Sequence, residues 1–355
     1  MYQRLIFILS LIFICGFTSE LSEKPKAEIA LVLDLSGSTN GLLDDVRDNL
    51  WTFANSFRQS FPEHELRLAI VGFSRGSFGL ESGYVRVLCD LSSNFDVISF
   101  RLYDLVSSVE KGDQFVGSAL KTAVGGLSWS KDQSRKMILL FGNSRADLGG
   151  YDYNKAVEGA VDKKIIINTV YCIRQDASPK DLHQWYSIAD RTGGNLYKMQ
   201  VTNRQSNKFY SESTRNLIEI NNNLNDTYVP FNRNSRINYD LMLAADVNSL
   251  QMNEKFFLNR CAFKISDAYQ QHAKSFDLVD YLIVQKELPP IHRKFLPENL
   301  MESSAKELSE IANIKFERRK NILKRMRESI LLLDSGPLTV NPIDSIFLES
   351  ISRHN

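Results

Sequence analysis

The sequence predicts an α/β fold, a doubly wound and mostly parallel sheet of six strands, followed by a mainly helical region. Between residues 26 and 200, short aliphatic and β-branched runs alternate with amphipathic stretches of helical period. The runs are nearly unbroken, which is typical of strands covered on both faces. Beyond residue 200 the strand-like runs stop, while helical spacing continues. This alternation is typical of a sheet with helices on both faces.

The six strands are expected at Ile29–Asp34, Leu66–Phe73, Tyr84–Leu88, Lys136–Phe141, Ile165–Tyr171 and Asn195–Met199. The third follows the second by only about ten residues, so we expect it to pair antiparallel at an edge. The helices between the strands are expected at Leu42–Phe57, Asp96–Val109, Val116–Leu127, Tyr153–Asp162 and Pro179–Thr192.

The chain divides into four predicted segments: a signal peptide at 1–19, the α/β domain at 26–200, a helical extension at 205–334 and an irregular tail at 335–355. Within the extension, helical patterns cover Tyr210–Leu224, residues 239 to about 273 and residues 303–333. A proline-rich joint at 287–300 separates the last two. The last helix carries basic residues interleaved with glutamates, which predicts a solvated face: Arg318, Arg319, Lys320, Lys324, Arg325 and Arg327.

The N-terminus has the pattern of a secretory signal. Arg4 precedes an apolar run from Leu5 to Phe17, and small or polar residues follow. A run of about 13 residues is shorter than the ~20 needed to span a bilayer. We therefore expect cleavage near residues 18–20 and a periplasmic or secreted protein without a stable transmembrane segment. A lipid anchor at Cys15 is disfavoured, because Ile14 precedes it where a small residue is expected.

The overall charge and the cysteines limit the function classes. The net charge is +1, so no global field favours nucleic acid. After signal cleavage, Cys89, Cys172 and Cys261 remain, an odd number for an exported chain. The first two lie on strands expected near opposite sides of the sheet, beyond the ~7 Å reach of a disulfide. We therefore predict no Cys89–Cys172 bridge, and a packed free thiol at Cys261.

The stretch "IALVLDLSGSTNG" at 29–41 contains the candidate functional residues. A hydrophobic strand ends at Asp34, and Ser36 and Ser38 follow at every second position. In an open parallel sheet, ligands bind beyond the carboxyl ends of the strands where strand order reverses. One carboxylate and two hydroxyls are hard oxygen donors that suit Mg²⁺, Mn²⁺ or Ca²⁺. The alternative, that Ser38 caps a helix beginning near Gly41, explains only one of the three residues.

This pattern resembles the metal-ion-dependent adhesion site of von Willebrand factor type A (VWA) domains. The resemblance continues, in the family's order, through "GLLDDVRDNLWTF" at 41–53, "GDQFVGSALKTAVGGLSW" at 112–129, "KMILLFGN" at 136–143 and later stretches to 199. Residues 224–231 and 275–282 resemble exported bacterial members with a helical extension. The resemblance implies two further ligand positions. Asp113 stands where the family has a threonine, and Asn143 where it has a second aspartate.

The implied metal site is therefore Asp34, Ser36, Ser38, Asp113 and Asn143, with Mg²⁺ (or Mn²⁺ or Ca²⁺) and two formal ligand charges. The resemblance implies an exported protein-binding module of adhesion or scaffold type, whose partner presents an acidic residue to the ion. Two alternatives remain: an envelope assembly protein with a vestigial metal site, and, less favoured, a metal-assisted hydrolase. The chain has only five histidines, without metal-ligand spacing, and no Gly-x-Ser-x-Gly elbow. We therefore expect no enzymatic activity and no nucleic-acid partner.

Overall fold

The computed structural model describes residues 24–105, 110–132, 134–173, 178–201, 210–333 and 342–353. The predicted signal peptide at 1–19 lies outside these ranges. Within them, no helix combines the length and apolar character that crossing a membrane requires.

The sheet has six strands, as predicted, in the order β3-β2-β1-β4-β5-β6. The strands β1 to β6 are Lys26–Asp34, Glu65–Phe73, Val85–Ser92, Arg135–Gly142, Ile165–Cys172 and Leu196–Met199. Only β3 pairs antiparallel, at the edge beside β2, and the other four pairings are parallel. The predicted fold class and the antiparallel edge are therefore confirmed.

Helices cover both faces of this sheet. Helices α1 to α5 are Leu42–Ser60, Phe95–Asp104, Val116–Gly126, Tyr153–Asp162 and Pro179–Asp190. Alternate residues of a strand point to opposite faces. Ile29, Leu31 and Leu33 accordingly pack with α1 and α2 in one core. Ala30 and Val32 belong to a second core with α3, α4 and α5. The sheet is thus a buried middle layer, which explains its unbroken apolar strands.

The helical extension packs onto α1 and α2. Its helices α6 to α11 are Glu212–Asn225, Arg233–Met252, Glu254–Lys264, Asp267–Ala273, Leu278–Gln285 and Ala305–Leu333. The ring of Trp51 in α1 packs 5.4 Å from the ring of Phe263, tilted by 37°, and its indole nitrogen donates a 2.9 Å hydrogen bond to Ser249. Buried residues of the extension belong to the same hydrophobic cluster as one face of the sheet. The two halves therefore share a core.

The prediction of an irregular tail at 335–355 is wrong for residues 342–352, which form a helix. A twelfth helix, α12, spans Pro342–Ser352. Ile343, Ile346, Phe347 and Ile351 are buried, at spacings of three, one and four residues that give the helix one apolar face. The ring of Phe347 stacks on Phe53 of α1 at 4.6 Å, so the helix covers α1. The remainder of that predicted tail, 335–341 and 354–355, lies outside the described residues.

The prediction of a solvated basic face on the last long helix is wrong at one residue. Arg319 is buried, and its guanidinium lies 2.8 Å from both Asp277 and Asp280. Those carboxylates compensate the charge, which allows the arginine to leave water. The three predicted thiols, Cys89, Cys172 and Cys261, are all free and buried, so the prediction of an unbridged set is confirmed.

Candidate metal centre

The candidate ligands meet where the sheet reverses its strand order. β1 lies between β2 and β4, and its last residue is Asp34. Asn143 directly follows β4. Because β1 and β4 are parallel neighbours, their carboxyl ends reach the same edge of the sheet. That edge is the usual ligand position in open α/β sheets.

A tight turn carries the two serines back over Asp34. The backbone N–H of Ser36 donates a 3.0 Å hydrogen bond to Asp34 Oδ1. Residues 37–39 form a 3-10 turn, and the Thr39 hydroxyl donates to the Asp34 carbonyl at 2.7 Å. Gly41 then occupies the cap position of α1 with a φ of +101°, which only glycine adopts readily. Ser38 is therefore not the cap of this helix, and the capping alternative does not account for it.

The serine hydroxyls and the Asn143 amide form one compact cluster of oxygens. Ser36 Oγ and Ser38 Oγ lie 2.9 Å apart, and the Ser38 hydroxyl donates to Asn143 Oδ1 at 2.8 Å. Ser38 is exposed, whereas Ser36 and Asn143 are buried. The cluster is thus open to solvent on the side of Ser38.

The predicted ligand Asp113 lies beside this cluster, but the adjacent Gln114, and not Asp113, contacts the serines. Asp113 is exposed, and among the contacts of the described residues none joins its carboxylate to the serines. The adjacent Gln114 instead donates from Nε2 to Ser36 Oγ at 2.6 Å and to Ser38 Oγ at 3.0 Å. Sequence reasoning missed Gln114. The available signal was its position one residue beyond the threonine-like position of the resemblance.

The loop that carries Gln114 is held by an ion pair. Arg75 pairs with Glu110, and Glu110 also accepts a 2.9 Å hydrogen bond from the Ser77 backbone N–H. Hydrogen bonding from the Ser77 side chain and from Arg75 lowers the pKa of Glu110 to about 2, with a smaller contribution from the Ser77 backbone N–H. A Cβ on Gly112 would lie 2.7 Å from backbone atoms of Ser74, so the loop presses directly on the residues that follow β2.

Asp34 is buried and has no cationic side chain as a partner among the described residues. Burial raises the pKa of Asp34 to about 6, although hydrogen bonding from Ser36, the Ser74 hydroxyl and the Asn143 backbone opposes this. Its Oδ2 is buried without a hydrogen-bond partner of good geometry in the described part of the chain. A Cβ at Gly142 would lie 3.2 Å from that oxygen, so glycine there leaves the carboxylate its space.

These residues fit a divalent cation that prefers oxygen. Among the described residues, no three or more histidine, cysteine, aspartate or glutamate side chains are grouped so that they could hold a metal ion. Mg²⁺ in proteins keeps several waters and takes only one or two carboxylates. Its ligand oxygens, at about 2.1 Å from the ion in an octahedron, lie about 3 Å from one another. The 2.8–2.9 Å spacings at Ser38 are compatible with that arrangement.

No family model matches the sequence, and no curated protein matches it. Solved structures that match include an aerotolerance-related membrane protein from Bacteroides fragilis with multiple mutations to serines, at 12% identity and a TM-score of 0.37. That match covers 49% of this chain and 92% of the other. BatB from Bacteroides thetaiotaomicron matches at 13% identity and a TM-score of 0.38, covering 50% and 92%. The SpRpn10 VWA domain matches at 15% identity and 0.35, covering 51% and 90%.

The strand order, with its antiparallel edge, and the loop of Asp34, Ser36 and Ser38 at the reversal point make this a VWA-like fold. The resemblance stated from the sequence is therefore confirmed at the level of the fold.

Proposed function

We propose that this protein is an exported, non-enzymatic binding module that captures an acidic group of a partner protein through a divalent cation at the end of β1. Asp34, Ser36, Ser38 and Asn143 would hold the ion, and Mg²⁺ is the ion that the donor set favours. The observation that supports the proposal is the buried Asp34 Oδ2, which has no hydrogen-bond partner of good geometry and no cationic side chain among the described residues, while three further oxygens cluster beside its loop.

The charge of the donor set favours an acidic ligand. If Asp113 stays exposed and Gln114 faces the serines, Asp34 contributes the only formal negative charge. The sequence-based expectation of two ligand carboxylates would neutralise a divalent ion. With one carboxylate, a net positive charge remains to attract a carboxylate of the partner. The exposed side at Ser38 gives that carboxylate a path to the ion.

The roles of the individual side chains follow from their positions. Asp34 supplies the charge that retains the ion. Ser36 and Ser38 turn their hydroxyl oxygens toward the same point, and the Asn143 amide holds Ser38 in place. Gln114, which donates to both serines, fixes the hydroxyl orientations and lies at the entrance. The bound cation would supply an electrophilic coordination position for the partner's carboxylate.

Mg²⁺ titration by calorimetry tests the metal site, with Asp34→Ala compared against Ser60→Ala. Ser60 is the exposed last residue of α1, at the far end of that helix from the site. We expect the wild type and Ser60→Ala to bind one ion, and Asp34→Ala to bind none while it keeps its far-ultraviolet dichroism. Equal binding by Asp34→Ala would contradict the proposed site.

Partner capture from envelope extract, in Mg²⁺ and in EDTA, tests the function. A partner held through the ion should bind with micromolar affinity, about −8 kcal/mol, and be released by EDTA. A partner that remains bound in EDTA would instead favour the assembly-protein alternative, in which the helical extension carries the interface.

A further inference from the structure

A deep cleft lies at the opposite end of the sheet from the metal centre, between the α/β half and the helical extension. Its volume is about 750 Å³, within the range of roughly 300–1,000 Å³ typical of small-molecule sites. Leu66, near the start of β2, lines it, whereas Asp34 pairs with Phe73 at the end of that strand. The strand between them spans about 23 Å. The cleft is therefore separate from the candidate metal centre.

The inner surface of the cleft is apolar and comes from both halves. Phe57 of α1, Phe95 of α2 and Phe263 of α8 line it, and each is almost fully buried. The Phe95 and Phe263 rings pack at 5.2 Å. Such a floor suits an aliphatic or aromatic body, because removing apolar surface from water favours binding.

Two nitrogens in the lining have no partner in the described part of the chain. Arg58 Nε and His272 Nε2 are buried without a hydrogen bond, and Arg58 forms no ion pair there. They come from different halves, Arg58 from α1 and His272 from α9. Arg58 Nε always carries a hydrogen, and a buried donor without an acceptor is costly. An acceptor supplied by a ligand would remove that cost.

Of the other charged groups of the lining, Lys24, His64 and Asp267 have partners or solvent, and Glu65 at the start of β2 is half-buried. Lys24 donates to the Pro62 carbonyl at 2.7 Å, and His64 contacts Glu63 at 2.7 Å. Asp267 is exposed in the first turn of α9, where a helix N-terminus favours a carboxylate. No carboxylate oxygen of the lining is both buried and unpaired among the described residues. The unmet need in this cleft is therefore an acceptor, preferably an anionic one.

We propose that this cleft binds a small amphipathic carboxylate, with its apolar body on Phe57, Phe95 and Phe263 and its carboxylate on the Arg58 guanidinium. An ionised acceptor gives arginine a stronger hydrogen bond than a neutral one, and it can engage two N–H groups at once. Because the ligand contacts both halves, it also stabilises their packing. Binding here requires no metal ion.

Octanoate titration by calorimetry tests this site, using the full chain in EDTA. EDTA removes any carboxylate binding at the metal centre, and the Asp34→Ala variant provides the same separation genetically. We expect one octanoate per chain in both proteins. Octan-1-ol, which has the same apolar length without the charge, should bind at least about tenfold more weakly than octanoate.

Arg58→Met keeps the apolar stem and removes the guanidinium. It should weaken octanoate at least about tenfold and leave octan-1-ol unchanged. Arg327→Met, at an exposed arginine outside the lining, is the matched control and should bind both probes normally. Equal octanoate affinity in Arg58→Met would overturn the proposal, as would the absence of octanoate binding to the wild type.

Ala268→Trp decides the case even if Arg58→Met does not fold. Ala268 lines the cleft from an exposed position on α9, so a large side chain there fills the cleft without disturbing the core. Both probes should lose binding in this variant. Octanoate binding that survives in Ala268→Trp would place the ligand elsewhere and overturn the proposal. None of these outcomes depends on whether the metal centre binds Mg²⁺.

Discussion

Two buried aspartates, Asp246 in the helical extension and Asp34 in the α/β half, differ in whether a cationic side chain compensates their charge. Asp246, in the helical extension, accepts from Arg260 Nε at 2.8 Å and from Lys264 Nζ at 2.7 Å. Asn221 and Asn225 donate further hydrogen bonds of 2.8 Å. The two cations hold the pKa of Asp246 well below its usual range despite its burial.

Asp34 is equally buried but has no Lys, Arg or His partner among the described residues, and its pKa is raised. The chain thus supplies its own cations where a charge fixes the packing of helices. At the end of β1 it leaves the carboxylate without one. This difference supports the proposal of an external cation at Asp34, since a buried charge needs compensation.

The largest expected effect comes from breaking the compensated cluster. Asp246→Ala leaves Lys264 buried without its counter-charge and leaves Arg260 with only its 2.7 Å ion pair to Asp96, so it should lower the free energy of unfolding by about 3–5 kcal/mol. Urea denaturation measures this change. Asp240→Ala is the control, because Asp240 forms an exposed pair with Arg236 and should cost less than about 1 kcal/mol. A similarly small loss in Asp246→Ala would show that the cluster does not stabilise the fold.

The next effect is the pH dependence of the uncompensated aspartate. Asp34 has a folded-state pKa of about 6 against an unfolded value near 3.8. Its protonated form stabilises the fold fully below about pH 4, and this contribution is lost as the pH rises through 6. The difference is worth at most roughly 3 kcal/mol. Asn at position 34 stays neutral at every pH, so Asp34→Asn removes this pH dependence. In EDTA at pH 7.5 the variant should therefore have a higher free energy of unfolding than the wild type.

The check on that prediction is urea denaturation of both proteins in EDTA from pH 4.5 to 8. Burial also raises the pKa of Asp344, to about 7, and this group adds a pH dependence of the same sign. Asp344 is present in both proteins, so its contribution cancels in the difference between them. Parallel pH curves for wild type and Asp34→Asn would contradict the account of Asp34.

A smaller effect distinguishes Gln114 from Asp113. Gln114→Glu would place a second carboxylate on the two serines, and it should tighten Mg²⁺ binding about tenfold because ligand charge sets affinity. The same added charge should weaken an acidic partner. Asp113→Asn should change Mg²⁺ affinity less than about threefold, since its carboxylate is exposed beside the site. Loss of Mg²⁺ binding in Asp113→Asn would show instead that Asp113 is a ligand of the ion.

Much of the fold could be predicted from the sequence because its signals are local. An aliphatic run such as that in β1 indicates a buried strand without knowledge of its neighbours. Asp34 could be predicted because it directly follows such a run, whereas Asn143 was implied by the resemblance to VWA domains. The two meet because β1 and β4 are parallel neighbours that end at one edge.

The features that the sequence did not reveal depend on distant contacts. Two contacts hold the loop that carries Asp113 and Gln114: the Arg75–Glu110 ion pair and the close approach of Gly112 to the Ser74 backbone. These contacts set which of the two side chains faces the serines. The burial of Arg319 depends on Asp277 and Asp280, about forty residues away. The helix at Pro342–Ser352 depends on a surface of α1 to pack against. Periodicity alone does not encode such partners.

The central claim is that a divalent ion compensates the charge of the buried Asp34 carboxylate. Proton release on Mg²⁺ binding tests this claim most directly. At pH 6 about half of the Asp34 carboxyls are protonated in EDTA. Metal binding requires the ionised form and displaces that proton. Calorimetry at pH 6 in two buffers of different ionisation enthalpy should therefore show about half a proton released per ion bound, and no binding in Asp34→Asn. Mg²⁺ binding without proton release, or undiminished in Asp34→Asn, would contradict the claim.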